Sequence, residues 1–287
     1  MDSNIQFSIP IDLEFDWHLT NRCNFDCHYC FPAIKRKKNR LPKQEFSNKE
    51  IIKAFTTLNL SCNISMSGGE PFLYNNFIAF CEALTERHCI GLNTNLSTAN
   101  VELFAETIKP EKVSYIWAAV HLDERLKLDK GIEKFASRYL LLCEKGFKVN
   151  AIYVLHPTKI DIFEKELLFI KNFGISSLQV KVFKGVFKGK TYPEAFPDKV
   201  RDKILRNSGG YLNNAFYLDG ETNFKGVLCK AGMTFFKLFE DGKVERCASD
   251  NEDYGNLFKG TFKRDLYPLP CKRQKVKALS QCKRFII

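Results

Sequence analysis

No run of eighteen apolar residues occurs in this sequence, so it offers no transmembrane helix. The opening residues, MDSNIQFSIPIDLEF, lack the basic start and apolar stretch of a secretory signal. There is no internal repeat, no low-complexity tract and no nucleic-acid-binding motif, so a repeat scaffold is excluded and nucleic acid has no support as a partner. Acidic residues are in the minority, 33 against 44 Lys and Arg, which leaves a formal charge of +11. A Lys-rich solvated surface accounts for that excess, and an anionic substrate or partner is the sharper alternative. These absences lead us to expect a soluble, cytoplasmic protein without membrane partners.

What is present is a chain of 287 residues, 45% apolar and with 26 Phe, enough for one large domain or one domain with a small appendage. It carries eleven cysteines. Disulfides rarely persist in the cytosol and the count is odd, so clustered cysteines point to metal or catalysis.

Short apolar stretches rich in β-branched and aromatic residues predict strands over 12–20, 62–67, 90–96, 113–122, 149–155 and 178–183. Helices are predicted between them over 47–58, 76–87, 100–108, 131–145 and 160–172. Ser47 with Glu50 forms a capping box for the first, and Gly146 and Gly174 are helix-stop glycines. Strand, crossover helix, strand implies a parallel sheet. About six such units are too few for an eight-stranded barrel, so the fold class is α/β, an open partial (β/α)6 TIM-like barrel over 1–186. Residues 187–226 form a connecting region with helix around 198–206. Residues 227–287 form a small β-hairpin-based, cysteine-rich domain, because Asp241-Gly242 lies between two apolar strands.

The first cysteine cluster is Asn21-Arg22-Cys23-Asn24-Phe25-Asp26-Cys27-His28-Tyr29-Cys30-Phe31, directly after the first strand. Three thiolates on one tight loop can hold three irons of a cubane and leave the fourth open. Zinc is the competing reading, with His28 as a crowded fourth ligand, although structural zinc prefers two CxxC-like pairs. Chemistry in parallel barrels collects at the C-terminal ends of strands, where this loop lies. Ser67-Gly68-Gly69-Glu70-Pro71 ends the second strand; its glycines would let a ligand approach the backbone and leave N–H groups free, and Glu70 could accept from an ammonium group.

CxxxCxxC with an aromatic residue before the last cysteine, followed by GGEP after the second strand, resembles the radical S-adenosylmethionine superfamily over residues 12–183. The resemblance implies an enzyme in which Cys23, Cys27 and Cys30 ligate a catalytic 4Fe–4S cluster, Tyr29 lies near the adenine of S-adenosylmethionine, and Gly68, Gly69, Glu70 and Pro71 receive its methionine end. Asn93, Asn95 and His121, with Asp123 beside it, end the third and fourth strands where members contact the cofactor; each reads equally well as a satisfied loop residue. The implied activity is reductive cleavage of the cofactor to a 5′-deoxyadenosyl radical that abstracts a hydrogen atom from substrate, fed by a flavodoxin- or ferredoxin-type donor. No side chain is assigned as an acid or base.

Cys229, Cys247, Cys271 and Cys282 are four thiols in one short region, and spacing alone admits zinc or an iron–sulfur cluster. The sequence Cys229, twelve residues, Gly242, four residues, Cys247 resembles twitch and SPASM domains, with Phe235, Gly255 and Asn256 also in pattern, and implies an auxiliary 4Fe–4S cluster. Four cysteines favour the shorter twitch form and an electron-relay role. The remaining Cys62, Cys81, Cys89 and Cys143 read as buried packing residues, which disfavours a thiol-donor epimerase. Lys181 and Lys184 at the end of the sixth strand permit a phosphate- or carboxylate-bearing substrate, or are a solvated rim. A first strand near residue twelve leaves no room for a peptide-binding module, so oxidation or rearrangement of a small molecule is preferred. A ribosomal-peptide maturase or epimerase and a non-enzymatic iron–sulfur carrier are the alternatives.

Overall fold

The computed structural model describes residues 7–30, 45–208, 214, 218 and 223–274. Six strands, β1 (Leu13–Thr20), β2 (Cys62–Gly68), β3 (Cys89–Thr94), β4 (Val113–Ala119), β5 (Val149–Leu155) and β6 (Leu178–Val182), pair in parallel in chain order. The helices between them are α1 (Asn48–Thr57), α2 (Phe77–Thr85), α3 (Asn100–Thr107), α4 (Leu122–Arg125), α5 (Gly131–Glu144) and α6 (Phe163–Lys171), with α7 (Asp198–Arg206) after β6. The capping box on α1 is present: Glu50 accepts from the Ser47 N–H at 2.7 Å, and Ser47 Oγ accepts from the Glu50 N–H. No helix among the described residues is long and apolar enough to cross a membrane.

The sheet curls. Five strand spacings would put β1 and β6 about 24 Å apart if flat, yet Lys181 on β6 interacts electrostatically with Asp16 on β1. Alternation sorts the side chains. Leu13, Phe15, Trp17 and Leu19 of β1 join the core between sheet and helices, whereas Glu14, Asp16 and His18 take the other face. Much of the Phe content lies in that outer core: Phe15 meets Phe55 at 5.6 Å, Trp17 meets Phe80 at 5.9 Å, and Phe72 meets Phe77 and Phe104 at 5.0 and 5.5 Å.

The C-terminal hairpin extends this sheet. Strand β10 (Phe235–Leu238) pairs in parallel with β1, and β11 (Lys243–Cys247) and β12 (Asp250–Asn256) follow antiparallel. Phe236, Leu238, Val244, Tyr254 and Leu257 belong to the main core, so the hairpin is seated on the barrel edge. Two further two-stranded pieces complete the described sheets: β7 (Gly185–Phe187) with β8 (Lys190–Tyr192), and β9 (Leu228–Cys229) with β13 (Leu269–Pro270).

Three local expectations change. The fourth strand stops at Ala119, not 122, because His121 turns the chain at φ 48° and α4 begins. The turn at Asp241-Gly242 is longer than two residues, closed by Gly242 N–H to the Phe239 carbonyl at 3.0 Å. Cys62, Cys81 and Cys89 are buried as expected, but Cys143 is exposed, since α5 turns Tyr139 and Leu142 inward and leaves position 143 on its outer face.

Candidate active site

At the C-terminal ends of β1 and β2 the cysteine loop and the glycine turn are pressed together. The Gly69 N–H donates to the Thr20 carbonyl and the Glu70 N–H to the Arg22 carbonyl, both at 2.7 Å. A Cβ on Gly69 would lie 2.0 Å from the Arg22 oxygen, and one on Gly68, itself at φ 131°, 2.3 Å from the Thr20 oxygen. These glycines therefore admit the backbone of the first loop. The expectation that they leave N–H groups free is corrected for Gly69 and Glu70, whose donors are taken by the nearest carbonyls, as buried backbone groups require. Within the loop, Cys30 N–H donates to the Cys27 carbonyl at 3.0 Å, and Cys23 and Cys30 are the electrostatic neighbours of buried Cys27. Burial pushes the Cys27 thiol up to about 12, so metal binding there must displace a proton.

Glu70 is 0% exposed, and three donors meet its carboxylate: Phe72 N–H at 3.1 Å, Thr94 Oγ1 at 2.7 Å and Asn95 N–H at 2.6 Å. As N-cap with Pro71 at the first helical position, it starts the short 3₁₀ turn Pro71–Leu73. Most of its acceptor capacity is thus used to fasten the end of β3 to the glycine turn. Asn95 is equally engaged. Its side-chain NH₂ donates to Asn24 Oδ1 at 3.1 Å, its side-chain oxygen accepts from Ser97 N–H at 2.9 Å, and Asn24 in turn donates to Ser97 Oγ at 2.7 Å. Asn93, two residues earlier, shares the inner face with Gly91, where a Cβ would lie 2.6 Å from the Tyr115 ring.

Arg125 was not legible as a site residue. It is 2% exposed, donates to the carbonyls of Val120, Asn95 and Ala119, and its guanidinium lies 5.4 Å from the Phe25 ring and 4.2 Å from the Phe135 ring. One side chain thus ties the cysteine loop, the ends of β3 and β4, and α5. Burial lowers its pKa to about 9, so it stays charged at neutral pH.

Tyr29 and His121 meet across this mouth at 2.9 Å. Burial and the Arg125 charge hold His121 near 4, while burial raises Tyr29 far above its ordinary value, so the hydrogen bond joins a neutral phenol and a neutral imidazole. The His28 ring stands 4.4 Å from His156 at the end of β5, and Phe183 and Phe187 face His156 at 4.8 and 4.7 Å. Asp123, in the first turn of α4, is paired with Lys159 at 2.6 Å.

Below the mouth the inner face is charged. Asp16 pairs with Lys237 of β10 at 3.0 Å and also acts on Lys181, whose pKa burial lowers. His18 Nε2 lies 2.9 Å from Asn21 Oδ1, and Asn21 donates to Glu240. Lys181 therefore projects inward rather than onto a rim, while Lys184 is half-buried beyond the strand. Asp16, His18, Lys237 and Glu240 escaped notice. The available signal was β1 itself: a parallel strand flanked on both sides is ordinarily apolar on both faces, and β1 alternates instead.

At the other edge, Cys229 is the electrostatic neighbour of both Cys271 and Cys247. Leu269 is the register partner of Cys229, which brings Cys271 alongside. The Ala231 N–H reaches Cys229 Sγ at 3.5 Å, and the Ser249 and Asp250 N–H groups point at Cys247. Such N–H···S contacts suit thiolate ligands of an iron–sulfur cluster. Cys282 lies outside the described residues. Among the described residues no group of three Cys, His, Asp or Glu side chains is gathered to hold a metal ion.

The desolvated imidazoles, His88 and His156 buried and His121 half-buried, set an acid limit. Desolvation is the first cause holding His88, His121 and His156 near 4, against 6.5 when exposed. Between those values the unfolded chain binds three more protons at these sites. Glu70 runs the other way, since burial raises it to about 7, and it returns one proton to the folded side above its ordinary value of 4.5. The unfolded state thus gains about two protons, and cluster-free protein should lose up to about 3 kcal/mol of stability per pH unit from pH 6.5 to 4.5. Urea midpoints across that window check this; a flat profile would contradict it.

The family model of the radical SAM superfamily matches residues 17–169, which include both the Cys23–Cys30 loop and the Ser67–Pro71 turn. The GTP 3′,8-cyclase of Haemophilus ducreyi is 27% identical over 175 residues, covering 54% of this chain and 48% of that protein. The GTP 3′,8-cyclase of Synechocystis sp. is 37% identical over 82 residues, covering 27% and 24%. The matched stretch thus spans at most about half the length of these curated relatives. Among solved structures, native anSMEcpe with bound AdoMet has a TM-score of 0.57 at 19% identity, covering 87% of this chain and 78% of that one. Streptococcus suis SuiB bound to precursor peptide SuiA has a TM-score of 0.52 at 16% identity, covering 90% and 66%. These two likenesses are of fold. The family match takes in 153 of the 287 residues, more than half, and with the loop and turn just described it means that this chain belongs to the radical SAM superfamily.

Proposed function

We propose that Cys23, Cys27 and Cys30 hold a 4Fe–4S cluster, that S-adenosylmethionine binds beside it, and that the chain uses their chemistry to oxidise or rearrange a small anionic molecule. When bound, this pair supplies reductive cleavage of the sulfonium carbon–sulfur bond and a hydrogen-abstracting radical. The observation that carries the proposal is the seating of a three-thiol loop on Gly68-Gly69 at the C-terminal ends of adjacent parallel strands. Of the chain's own residues, Tyr29 would lie near the adenine, His121 near the ribose, and Asn93 at the strand end that contacts the cofactor. Gly68, Gly69 and Pro71 shape the methionine end, while Glu70 and Asn95 hold the surrounding loops in place. Lys181 would be the inner-face cation for an anionic substrate, Lys237 being paired with Asp16, and Lys184 would lie at the outer lip.

Residues 227–287 would form the auxiliary unit, with Cys229, Cys247, Cys271 and Cys282 holding a second 4Fe–4S cluster as electron relay. An external flavodoxin- or ferredoxin-type protein would supply the electron. The names of the curated relatives make GTP the first substrate to try.

Anaerobic reconstitution tests both centres. The chain should take up about eight irons and form 5′-deoxyadenosine with dithionite. Cys27→Ser should reduce iron to about four and abolish cleavage, while Cys229→Ser should also halve the iron. Intact cofactor under strong reductant, or zinc in place of iron at the first loop, would refute the proposal.

A further inference from the structure

Arg246, directly before Cys247, is a buried arginine, 2% exposed, to which the sequence motifs assign no role. Its Nε donates to the Ala231 carbonyl at 3.0 Å, its Nη2 to Leu269 at 3.0 Å, and its Nη1 to Pro270 at 3.2 Å and to Asp250 Oδ2 at 3.4 Å. Each partner sits beside a thiol. Ala231 is two residues after Cys229, Pro270 directly precedes Cys271, Asp250 is three residues after Cys247, and Arg246 itself precedes Cys247. Its charge also acts on Cys229 directly.

A buried cation is costly to keep and is a poor choice for packing alone. Holding together three strands of backbone could be done by neutral donors. A fixed positive charge does something they cannot: it favours the more negative of two redox states beside it. Iron–sulfur potentials respond to net charge, hydrogen bonds to sulfur and exposure, and Arg246 offsets the buried Asp250 carboxylate beside Cys247, whose negative charge would otherwise stand alone next to the thiols.

We propose that Arg246 is a positioning residue for the auxiliary centre, which assembles Cys229, Cys247 and Cys271 and raises the reduction potential of the cluster they hold. This rests on the second-cluster reading above, and the experiment separates the two. Full-length protein carrying Cys23→Ala, Cys27→Ala and Cys30→Ala is reconstituted anaerobically, so that only the auxiliary centre can load. About four irons are expected; none would remove the second cluster and this inference with it.

Arg246→Gln and Arg246→Lys are then introduced into that background and poised at the parent's midpoint, with the reduced cluster read by electron paramagnetic resonance. Arg246→Gln should shift the oxidised-to-reduced ratio at least about tenfold toward oxidised, which is 59 mV for a one-electron couple. Arg246→Lys, which keeps the charge, should stay near the parent. A glutamine variant that loads fully at an unchanged potential overturns the inference. Loss of loading in glutamine but not in lysine supports it, because the charge is then what holds the thiolates. Loss in both overturns it, leaving only guanidinium packing.

Discussion

Gly69→Ala should lower cofactor cleavage by about a hundredfold or more. The added Cβ would lie 2.0 Å from the Arg22 oxygen, 2.5 Å from the Arg22 carbonyl carbon and 3.0 Å from the Asn21 carbonyl carbon. All three are backbone atoms and cannot rotate away. Restoring an ordinary contact needs the cysteine loop to retreat by about 1 Å, and a misplacement of that size can cost about a hundredfold in rate. The hydrogen bonds from Gly69 and Glu70 to that loop would stretch with it. The readout is 5′-deoxyadenosine formation by reconstituted protein, with far-ultraviolet circular dichroism to confirm folding. Gly189→Ala is the control. Gly189 has φ 74° and nothing within 4 Å of where a Cβ would stand, so it carries the left-handed backbone penalty of roughly 1–2 kcal/mol without the clash. Full activity in Gly69→Ala would mean that the loop is not held where it must be for the chemistry.

The two motifs were legible because each is short and local: three cysteines within eight residues, and a glycine pair at a strand end. The six strands and their crossover helices were legible for a related reason, since buried parallel strands are apolar runs and their helices carry one apolar face. What escaped depends on distance along the chain or on a single dihedral. Asp16 and Lys237 are 221 residues apart and meet only because β10 joins the edge of β1. Strand β12, DNEDYGN, has neither apolar alternation nor β-branched residues, and it pairs because β11 offers it an edge. Arg125 was hidden by the left-handed turn at His121, which the apolar run through Val120 and Leu122 gave no reason to expect. Gly68-Gly69 also have a neighbour that lies far off in sequence, the protein's own backbone at Thr20 and Arg22, in addition to the ligand approach that glycine allows.

Arg125→Met should cost about 3–5 kcal/mol in stability, the penalty for stripping one partner from a buried charged network. Arg125 and Glu70 do not touch, but they grip the two sides of one residue. Glu70 accepts the Asn95 N–H at 2.6 Å, and Arg125 donates to the Asn95 carbonyl. Each charge also offsets the burial of the other. Removing the guanidinium leaves the carbonyls of Asn95 and Val120 without their donor and the Glu70 carboxylate without its nearest cation, in a place water does not reach. Arg125→Met with Glu70→Gln should therefore cost less than the sum of the two single changes, by roughly 0.5–3 kcal/mol. Urea unfolding of the four proteins measures that coupling, and additivity within about 0.5 kcal/mol would show that the charges act separately. The functional consequence follows from Phe25. Its ring rests against the Arg125 guanidinium between Cys23 and Cys27, so a chain that survives Arg125→Met should fold with a looser cysteine loop. It should then lose iron faster to a chelator than Lys127→Met, which removes an exposed cation just beyond the end of the same helix.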